Sequence, residues 1–274
     1  MKFGILGPLT MHDNGVSYLP TAPKQRQLLA LFLLNANRFV AIDAAVEELW
    51  EGNPPRTVIP TLQTYVLQIR RALAASPTLG SLTEAHKSLI TGNRGYFLMV
   101  PPHSLDLMEW DQLVAEGREA QRRDDDAEMA RKFRRALSLW RGPALGDVQA
   151  GPLLRAHVNR FEEARLSVTE QCFEAELRLG YHHDILSEIG DVAAQHPLNE
   201  NLQAMYMLAL YRAGRQVRAL EVFRHLRRSV ADELGVEPSA QLRRLHEAIL
   251  SADDRLEMTT HDQRFATTSR VSVR

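Results

Sequence analysis

The sequence predicts a mainly α-helical chain in two parts, a small α+β domain followed by an all-α domain. Strand-forming segments occur only before about residue 101, whereas residues 105 to about 250 read as long helices rich in Ala, Leu, Arg and Glu. A repeat is visible within the helical segment. We therefore expect domains at residues 1–101 and 102–250, and a disordered tail at residues 251–274.

The opening residues predict two or three short antiparallel strands. KFGILGPLTMHDNGVSYLP is rich in strand formers, and Asp13-Asn14-Gly15 is typical of a hairpin turn. A first helix then begins at Pro23, where the missing N–H of proline is harmless, and ends near Asn35. A second helix runs from about Asp43, its expected cap, to Trp50.

A third helix begins between Arg56 and Thr61 and ends near Ala75. Its apolar residues recur at spacings of four, three and four, which places one face against a core. These residues are Leu62, Val66, Ile69 and Leu73. The segment SLITGNRGYFLMV then predicts a β-hairpin whose turn is residues 92–95. Strands, three helices and a hairpin, in that order, indicate a winged helix-turn-helix domain.

The helical segment contains pairs of similar residues 34 positions apart. The pairs are Ala175 and Ala209, Gly180 and Gly214, Leu186 and Leu220, Leu177 and Tyr211, and Ile189 and Phe223. This interval is the tetratricopeptide period, in which each repeat is a pair of packed helices. Residues 124–137 resemble a degenerate second half of such a pair. The second domain is therefore predicted to be tetratricopeptide-like.

The charge distribution favours a polyanionic partner for the first domain. The net charge is −1, but residues 1–101 carry 9 Lys and Arg against 6 Asp and Glu, and residues 102–250 carry 20 against 24. No acidic residue occurs from Gly52 to Thr83, the stretch that includes the third helix. A carboxylate near phosphates would weaken binding, so its absence here indicates contact with nucleic acid.

Composition also limits the location of the protein. The longest dense apolar run, Leu28 to Leu34, is too short to span a bilayer, and the N-terminus does not read as a secretory signal. The single cysteine, Cys172, lies in a helical pattern and is expected to be a small buried side chain. We expect a cytoplasmic, nucleoid-associated protein without membrane contact.

In a winged helix-turn-helix domain the third helix enters the major groove and the hairpin tip reaches the adjacent backbone or minor groove. Thr64 and Gln68 are placed to reach base edges, and Arg70 and Arg71 to reach phosphates. Trp50 is either a core residue or a surface residue whose indole N–H donates a hydrogen bond to a DNA phosphate. The complete predicted DNA-binding set is Trp50, Arg56, Thr61, Gln63, Thr64, Gln68, Arg70, Arg71, Asn93 and Arg94.

The sequence gives no reason to expect catalysis, a metal or a cofactor. Walker loops, GxGxxG after a strand, HExxH and CxxC are missing. Asp124-Asp125-Asp126 has the wrong spacing for a calcium loop, and a helix cap or loop is expected instead. His182-His183 follows Gly180 in an expected solvent-exposed turn between helices.

Several segments in order closely resemble the Streptomyces antibiotic regulatory protein family. They are ILGPL, PKQRQLLALFLLNAN, ELWEGNPPRT, TLQTYVLQIRRAL, GYFLMV and LGVEPSAQLRRLHEAIL, and they cover residues 1 to about 250. The resemblance implies an OmpR-type winged helix followed by a bacterial transcriptional activation domain. It also implies an activator of a secondary-metabolite cluster in an actinomycete, which binds direct repeats near the −35 element as a homodimer and recruits RNA polymerase through its sigma factor.

The third helix departs from the family pattern at two positions. Where the family reads close to YVSRLRRAL, this chain has Leu67 and Gln68. Gln68 replaces a groove-facing arginine, and arginine makes the commonest specific contact to guanine. The sequence therefore predicts a preference for adenine at that position, and the alternative is that Leu67 lies against thymine methyl groups. The competing hypothesis is a helical-repeat adaptor for a protein partner, in which the first domain is only structural.

Overall fold

The computed structural model describes residues 1–257 of the chain, which is mainly α-helical with two small sheets. It divides into two compact units. The first unit contains residues 1–115 and 135–166, and the described part of the second contains residues 116–134 and 167–257. Each unit is described by itself below.

The first unit opens with the predicted hairpin sheet. Strands β1 (Lys2–Gly4), β2 (Thr10–Asp13) and β3 (Val16–Ser17) pair antiparallel in that order. Phe3 stands opposite Met11, and the Asn14-Gly15 turn has φ values of 49° and 80°. Asn and Gly tolerate this left-handed conformation, so they permit the tight turn that the sequence indicates.

Four helices follow in the first domain. They are α1 (Pro23–Leu34), α2 (Ile42–Trp50), α3 (Val58–Ala74) and α4 (Leu82–Ser88). The first three lie close to their predicted bounds, and the predicted apolar face of α3 is fully buried. The expected capping role of Asp43 is wrong, because the N-cap of α2 is Ala41 and Asp43 lies in the first turn. A carboxylate there still opposes the positive end of the helix dipole.

The second sheet carries the wing. Strands β4 (Phe39–Ala41), β5 (Leu89–Gly92) and β6 (Gly95–Leu98) are antiparallel, and β6 lies between the other two. The hairpin of β5 and β6 was predicted, but β4 and α4 were not. Three residues are too few for a periodic strand signal. Helix α4 did have a signal, since Ser81 accepts a hydrogen bond from the backbone N–H of Glu84, as in a capping box.

Residues beyond position 101 belong to the same compact unit as the winged helix. The carboxylate of Asp106 accepts hydrogen bonds from the N–H groups of Ile5 and Leu6, and it pairs with Arg141 at 2.9 Å. Asp147 accepts a hydrogen bond from the N–H of Leu9 at 2.7 Å. These carboxylates satisfy backbone donors of the opening strand and its loop, so the segment is held by polar as well as apolar contacts.

A buried glutamate makes the most concentrated set of these bonds. The side chain of Glu48, on α2, is fully buried and accepts hydrogen bonds from the N–H groups of Gly151, Leu153 and Leu154 at 2.6–3.0 Å. The amide of Gln27 donates to the same carboxylate at 2.8 Å. The three N–H groups lie at the start of the helix that begins at residue 152, where the helix dipole also favours a negative charge.

The remaining helices are long, as predicted. They are α5 (Asp106–Arg122), α6 (Asp126–Leu137), α7 (Pro152–Arg178), α8 (His182–Gln195), α9 (Glu200–Arg212), α10 (Gln216–Leu234) and α11 (Ala240–Leu250). In the second unit α8 packs against α9 and α9 against α10. Phe223 and Leu226 of α10 and Leu242 and Ile249 of α11 lie in one core cluster with Met207.

The 34-residue register coincides with the helix boundaries. Gly180 and Gly214 stand in the turns after α7 and α9, with φ values of 83° and 73°. Ala175 and Ala209 are fully buried one turn or so earlier. Glycine at both turns is explained by the left-handed conformation, which other residues rarely adopt. The tetratricopeptide-like organisation is therefore confirmed.

Three smaller expectations fall in the second unit. Cys172 is fully buried, as predicted, and burial raises the pKa of its thiol to about 12. Asp125 accepts a hydrogen bond from the N–H of Glu128, so the acidic run caps a helix as expected. His182 and His183 are not in a turn but open α8, and His182 is half-buried.

The predicted disordered tail lies mostly outside the described residues. Asp254–Leu256 form a short 3-10 helix, and Arg212 donates a hydrogen bond to the carbonyl of Leu256. The part of the tail from residue 258 onward is outside the described residues.

Candidate nucleic-acid interface

Helix α3 presents a polar face opposite its buried one. Gln63, Thr64 and Arg71 are exposed, and Gln68 is half-buried. Because the buried residues of α3 occupy one stripe, these side chains project from the remaining surface of the helix. This surface has the donors, acceptors and positive charge that base edges and phosphates require.

The two threonines of α3 use their hydroxyl hydrogens within the helix. Thr61 donates to the carbonyl of Thr57 at 2.8 Å, and Thr64 donates to the carbonyl of Pro60 at 2.9 Å. Such back-bonding is common for threonine in helices. It leaves the methyl group and the oxygen lone pairs of exposed Thr64 available to an external partner, whereas Thr61 is half-buried.

Trp50, the last residue of α2, packs against helix α3. Its ring stacks on Tyr65 with a centroid distance of 6.2 Å and an interplanar angle of 16°. Both residues are half-buried, so Trp50 is neither a full core residue nor a fully exposed one. The stack joins the end of α2 to the middle of α3 across the exposed turn that contains Arg56.

Arg70 does not lie on the outward face, and the sequence-based placement of this residue is wrong. It is only 8% exposed. Its Nε and Nη2 donate to the carbonyl oxygen of Leu89 at 2.9 and 2.6 Å, and Nη2 also donates to Oγ1 of Thr91 at 2.8 Å. Burial lowers the pKa of the guanidinium from its ordinary value, because the charged form loses solvation. Arg70 joins α3 to strand β5.

The sequence did contain a signal for this burial. Arg70 stands four residues after Val66 and three before Leu73, so it lies on the same helical stripe as two core residues. Arg71 stands seven residues after Thr64 and is exposed. Helical spacing therefore assigns the outward position to Arg71 and the inward one to Arg70.

The wing tip is the two-residue connection Asn93-Arg94, and both residues are exposed. The carbonyl of Arg94 accepts a hydrogen bond from the N–H of Ile42 at 2.9 Å, which ties the tip to the start of α2. A Cβ at Gly95 would lie 2.1 Å from the carbonyl oxygen of Val40 and 2.6 Å from the ring of Phe39. Only glycine fits there, so the close approach of β4 fixes the base of the tip.

Carboxylates that flank the acid-free stretch are paired with cations. Glu51 accepts a hydrogen bond from Arg155 at 2.9 Å, and this contact lowers the pKa of the carboxyl below its usual range. Glu84 pairs with Lys87 at 2.7 Å. The local negative charge at either end of the stretch is thereby partly offset.

The part of the chain that the structure describes has neither a metal-binding cluster nor a membrane-spanning helix. No described group of three or more His, Cys, Asp and Glu side chains is arranged to hold a metal ion. None of the helices within residues 1–257 has the length and apolar character needed to cross a membrane.

Comparisons with known proteins agree with this architecture. Residues 105–250 match the family model of the bacterial transcriptional activator domain. Regulatory protein DnrI of Streptomyces peucetius is 44% identical over 253 residues, which cover 92% of this chain and 93% of DnrI. Transcriptional regulator RedD of Streptomyces coelicolor is 33% identical over 261 residues, or 94% of this chain and 73% of RedD.

A solved structure shares the fold along nearly the whole chain. Mycobacterium tuberculosis EmbR, in complex with a low affinity phosphopeptide, superposes with a TM-score of 0.83 at 30% identity. The match covers 98% of this chain and 69% of the EmbR chain.

The fold and these relatives define a transcriptional activator in which a winged helix-like domain precedes an all-helical domain. The chain belongs to the Streptomyces antibiotic regulatory protein family and carries its bacterial transcriptional activator domain at residues 105–250. The family consists of transcriptional regulators, which interact with DNA and the transcription machinery.

Proposed function

We propose that this protein binds direct repeats near the −35 element of promoters in a secondary-metabolite cluster and activates their transcription. Two protomers lie side by side on the repeats, each with α3 in the major groove and Arg94 of the wing tip against the neighbouring backbone or minor groove. The helical domain recruits RNA polymerase through the sigma factor. The protein acts in the cytoplasm, on the nucleoid.

The observation that carries this proposal is the exposed face of α3. Gln63, Thr64 and Arg71 project from a helix whose other side is core, within a stretch of 32 residues that holds no acidic residue. A duplex requires a convex polar element without negative charge, and a helix fits the width of the major groove. Arg56, just before α3, and Arg94, at the wing tip, are exposed and add positive charge to the domain.

A role for each side chain follows from its exposure. We assign base contacts to Thr64 and Gln68, and phosphate contacts to Arg56, Arg71 and Arg94, with Asn93 beside the last of these. Thr61 lies near the start of α3, where the positive end of the helix dipole favours a phosphate, and exposed Gln63 lies on the same polar face as Thr64. Trp50 supports α3 through its stack on Tyr65. Arg70 is not among the contacts, because its guanidinium is buried.

The test is DNA binding as a function of salt. We expect the logarithm of the affinity for promoter repeats to fall linearly with the logarithm of salt concentration. Arg71→Ala should weaken binding to all sequences alike and reduce the slope by about one, as the loss of one phosphate contact predicts. Arg215→Ala, which removes an exposed arginine of the second unit, is the control. Equal slopes for the Arg71 variant and the unaltered protein would remove Arg71 from the interface.

The alternative is a helical-repeat adaptor with a structural first domain, and the regular 34-residue register is the observation that favours it. In that case the protein would capture a protein partner and show no affinity for promoter DNA at low salt. A gel-shift titration and a pull-down with purified RNA polymerase holoenzyme separate the two functions.

A further inference from the structure

The buried guanidinium of Arg70 occupies an unusual position for a cation. It is 8% exposed, and its hydrogen bonds go to a carbonyl and a hydroxyl, which are neutral acceptors. Removing a cation from water is costly when no anion compensates it. A leucine or methionine would fill the same space at lower cost, so packing alone does not account for an arginine at this place.

The acceptors lie on the free edge of the wing sheet. Strand β5 pairs with β6 on one side only, because the sheet order is β4-β6-β5. The carbonyl of Ser88 accepts from Met99 beside β6, so the next carbonyl, that of Leu89, points away from β6. Arg70 fills this open position with two donors, and it bonds Thr91 two residues nearer the wing tip.

We propose that Arg70 is a positioning residue that sets the wing at a fixed height and angle to helix α3. Arg70 lies in the same turn of α3 as Gln68 and Arg71. Its planar guanidinium donates hydrogen bonds to two residues of β5, Leu89 and Thr91. Arg94 of the wing tip follows three residues after Thr91, so the guanidinium fork determines where Arg94 lies relative to the groove-facing side chains. Helix α3 and the wing then contact the duplex as one rigid surface. The wing is already ordered before binding, so less conformational entropy is lost when the complex forms.

The position cannot be filled by a lysine. An ammonium is a single point donor group without a planar fork, and it would not hold the carbonyl and the hydroxyl in one fixed geometry. Arg71, the exposed neighbour on the same helix, is the matched control because its removal takes away a similar side chain without a contact to the wing.

The test is a double-mutant cycle on DNA binding, and it depends on the proposed function. It uses the full chain and a duplex with the repeats recovered by binding-site selection. We expect Arg94→Ala to weaken binding about tenfold in the unaltered protein, which corresponds to about 1.4 kcal/mol. In the Arg70→Ala background the same change should cost less than about twofold, because the link from α3 to β5 is lost and the wing is then held only from the β4 side. In the Arg71→Ala background the full tenfold loss should remain.

A second variant distinguishes the proposed positioning role of Arg70 from a loss of folding. Thr91→Val removes one acceptor and leaves the guanidinium and the Leu89 carbonyl in place, so it should reduce the effect of Arg94→Ala to an intermediate value. Losses that multiply in both backgrounds would overturn the inference, since a direct phosphate contact or a general loss of stability gives that result. If the unaltered protein shows no salt-dependent binding, the proposed function fails as well.

Discussion

Single residues determine the character of the interface. Thr64 and Arg71 are exposed because they stand off the core stripe of α3, and Arg70 is buried because it lies on that stripe. Adjacent arginines in one helix thus differ completely in environment. Helical spacing could have separated them from the sequence, but residue type alone could not, since an arginine is expected at the surface.

Gln68 is the residue on which base preference depends under the proposed function. We expect Gln68→Arg to move the preferred base from adenine to guanine, because glutamine matches the adenine edge and arginine matches the guanine edge. The change should be worth about 1–3 kcal/mol of discrimination at one position of each repeat. Binding-site selection on random duplexes measures it. The same base recovered by both proteins would contradict the assignment.

Cys172 is expected to be chemically silent in the folded protein. Burial raises its thiol pKa to about 12, so the reactive thiolate is scarce at about pH 8. A colorimetric disulfide reagent should react slowly with the native chain and rapidly after urea denaturation. Rapid reaction without denaturant would show that the residue is accessible. The expectation of a small buried side chain followed from sequence alone, because its position in a helical pattern indicated a core site.

At the scale of elements, the longer helices and the hairpins follow local patterns, whereas the short strand β4 does not. Apolar spacing and turn residues placed α1, α2 and α3 within a few residues of their observed bounds. Strand β4 escaped prediction because its three residues are defined by pairing with β6, which lies more than fifty positions later. Long-range pairing has no local signature in so short a segment.

Glu48 shows how one side chain can connect distant elements. We expect Glu48→Ala to lower the free energy of unfolding by about 3 kcal/mol, because several buried donors lose their acceptor. Glu47→Ala, an exposed position on the same helix, should change it by less than about 0.5 kcal/mol. Urea denaturation followed by circular dichroism provides the comparison. A loss below about 1 kcal/mol would mean that water replaces the carboxylate at these donors.

At the scale of the whole molecule, the two compact units do not divide at residue 101, where the change in composition predicts the domain boundary. Residues 102–115 and 135–166 belong to the unit that contains the winged helix. Composition changes near residue 101, and the sequence-based boundary was placed there. The polar bonds of Glu48, Asp106 and Asp147 extend across that position within the first unit.

A truncation tests where the first domain ends. We expect a fragment of residues 1–101 to be markedly less stable than a fragment of residues 1–166, because the shorter one lacks the partners of Glu48 and both carboxylates that hold the opening strands. Thermal unfolding of the two fragments gives the comparison. Equal midpoints would support an independent domain that ends at residue 101, which remains the prediction from sequence.

Sequence by itself determined the family, the first three helices and the two hairpins, the repeat register and the acid-free helix. These properties are local or periodic, so short segments of the sequence are enough to identify them. Tertiary structure decided which acceptors the buried arginine bonds, how β5 is held, and which residues past position 101 pack with the winged helix. Such features depend on hydrogen bonds between residues far apart in the chain, and a buried polar group can be identified only when its partner is known.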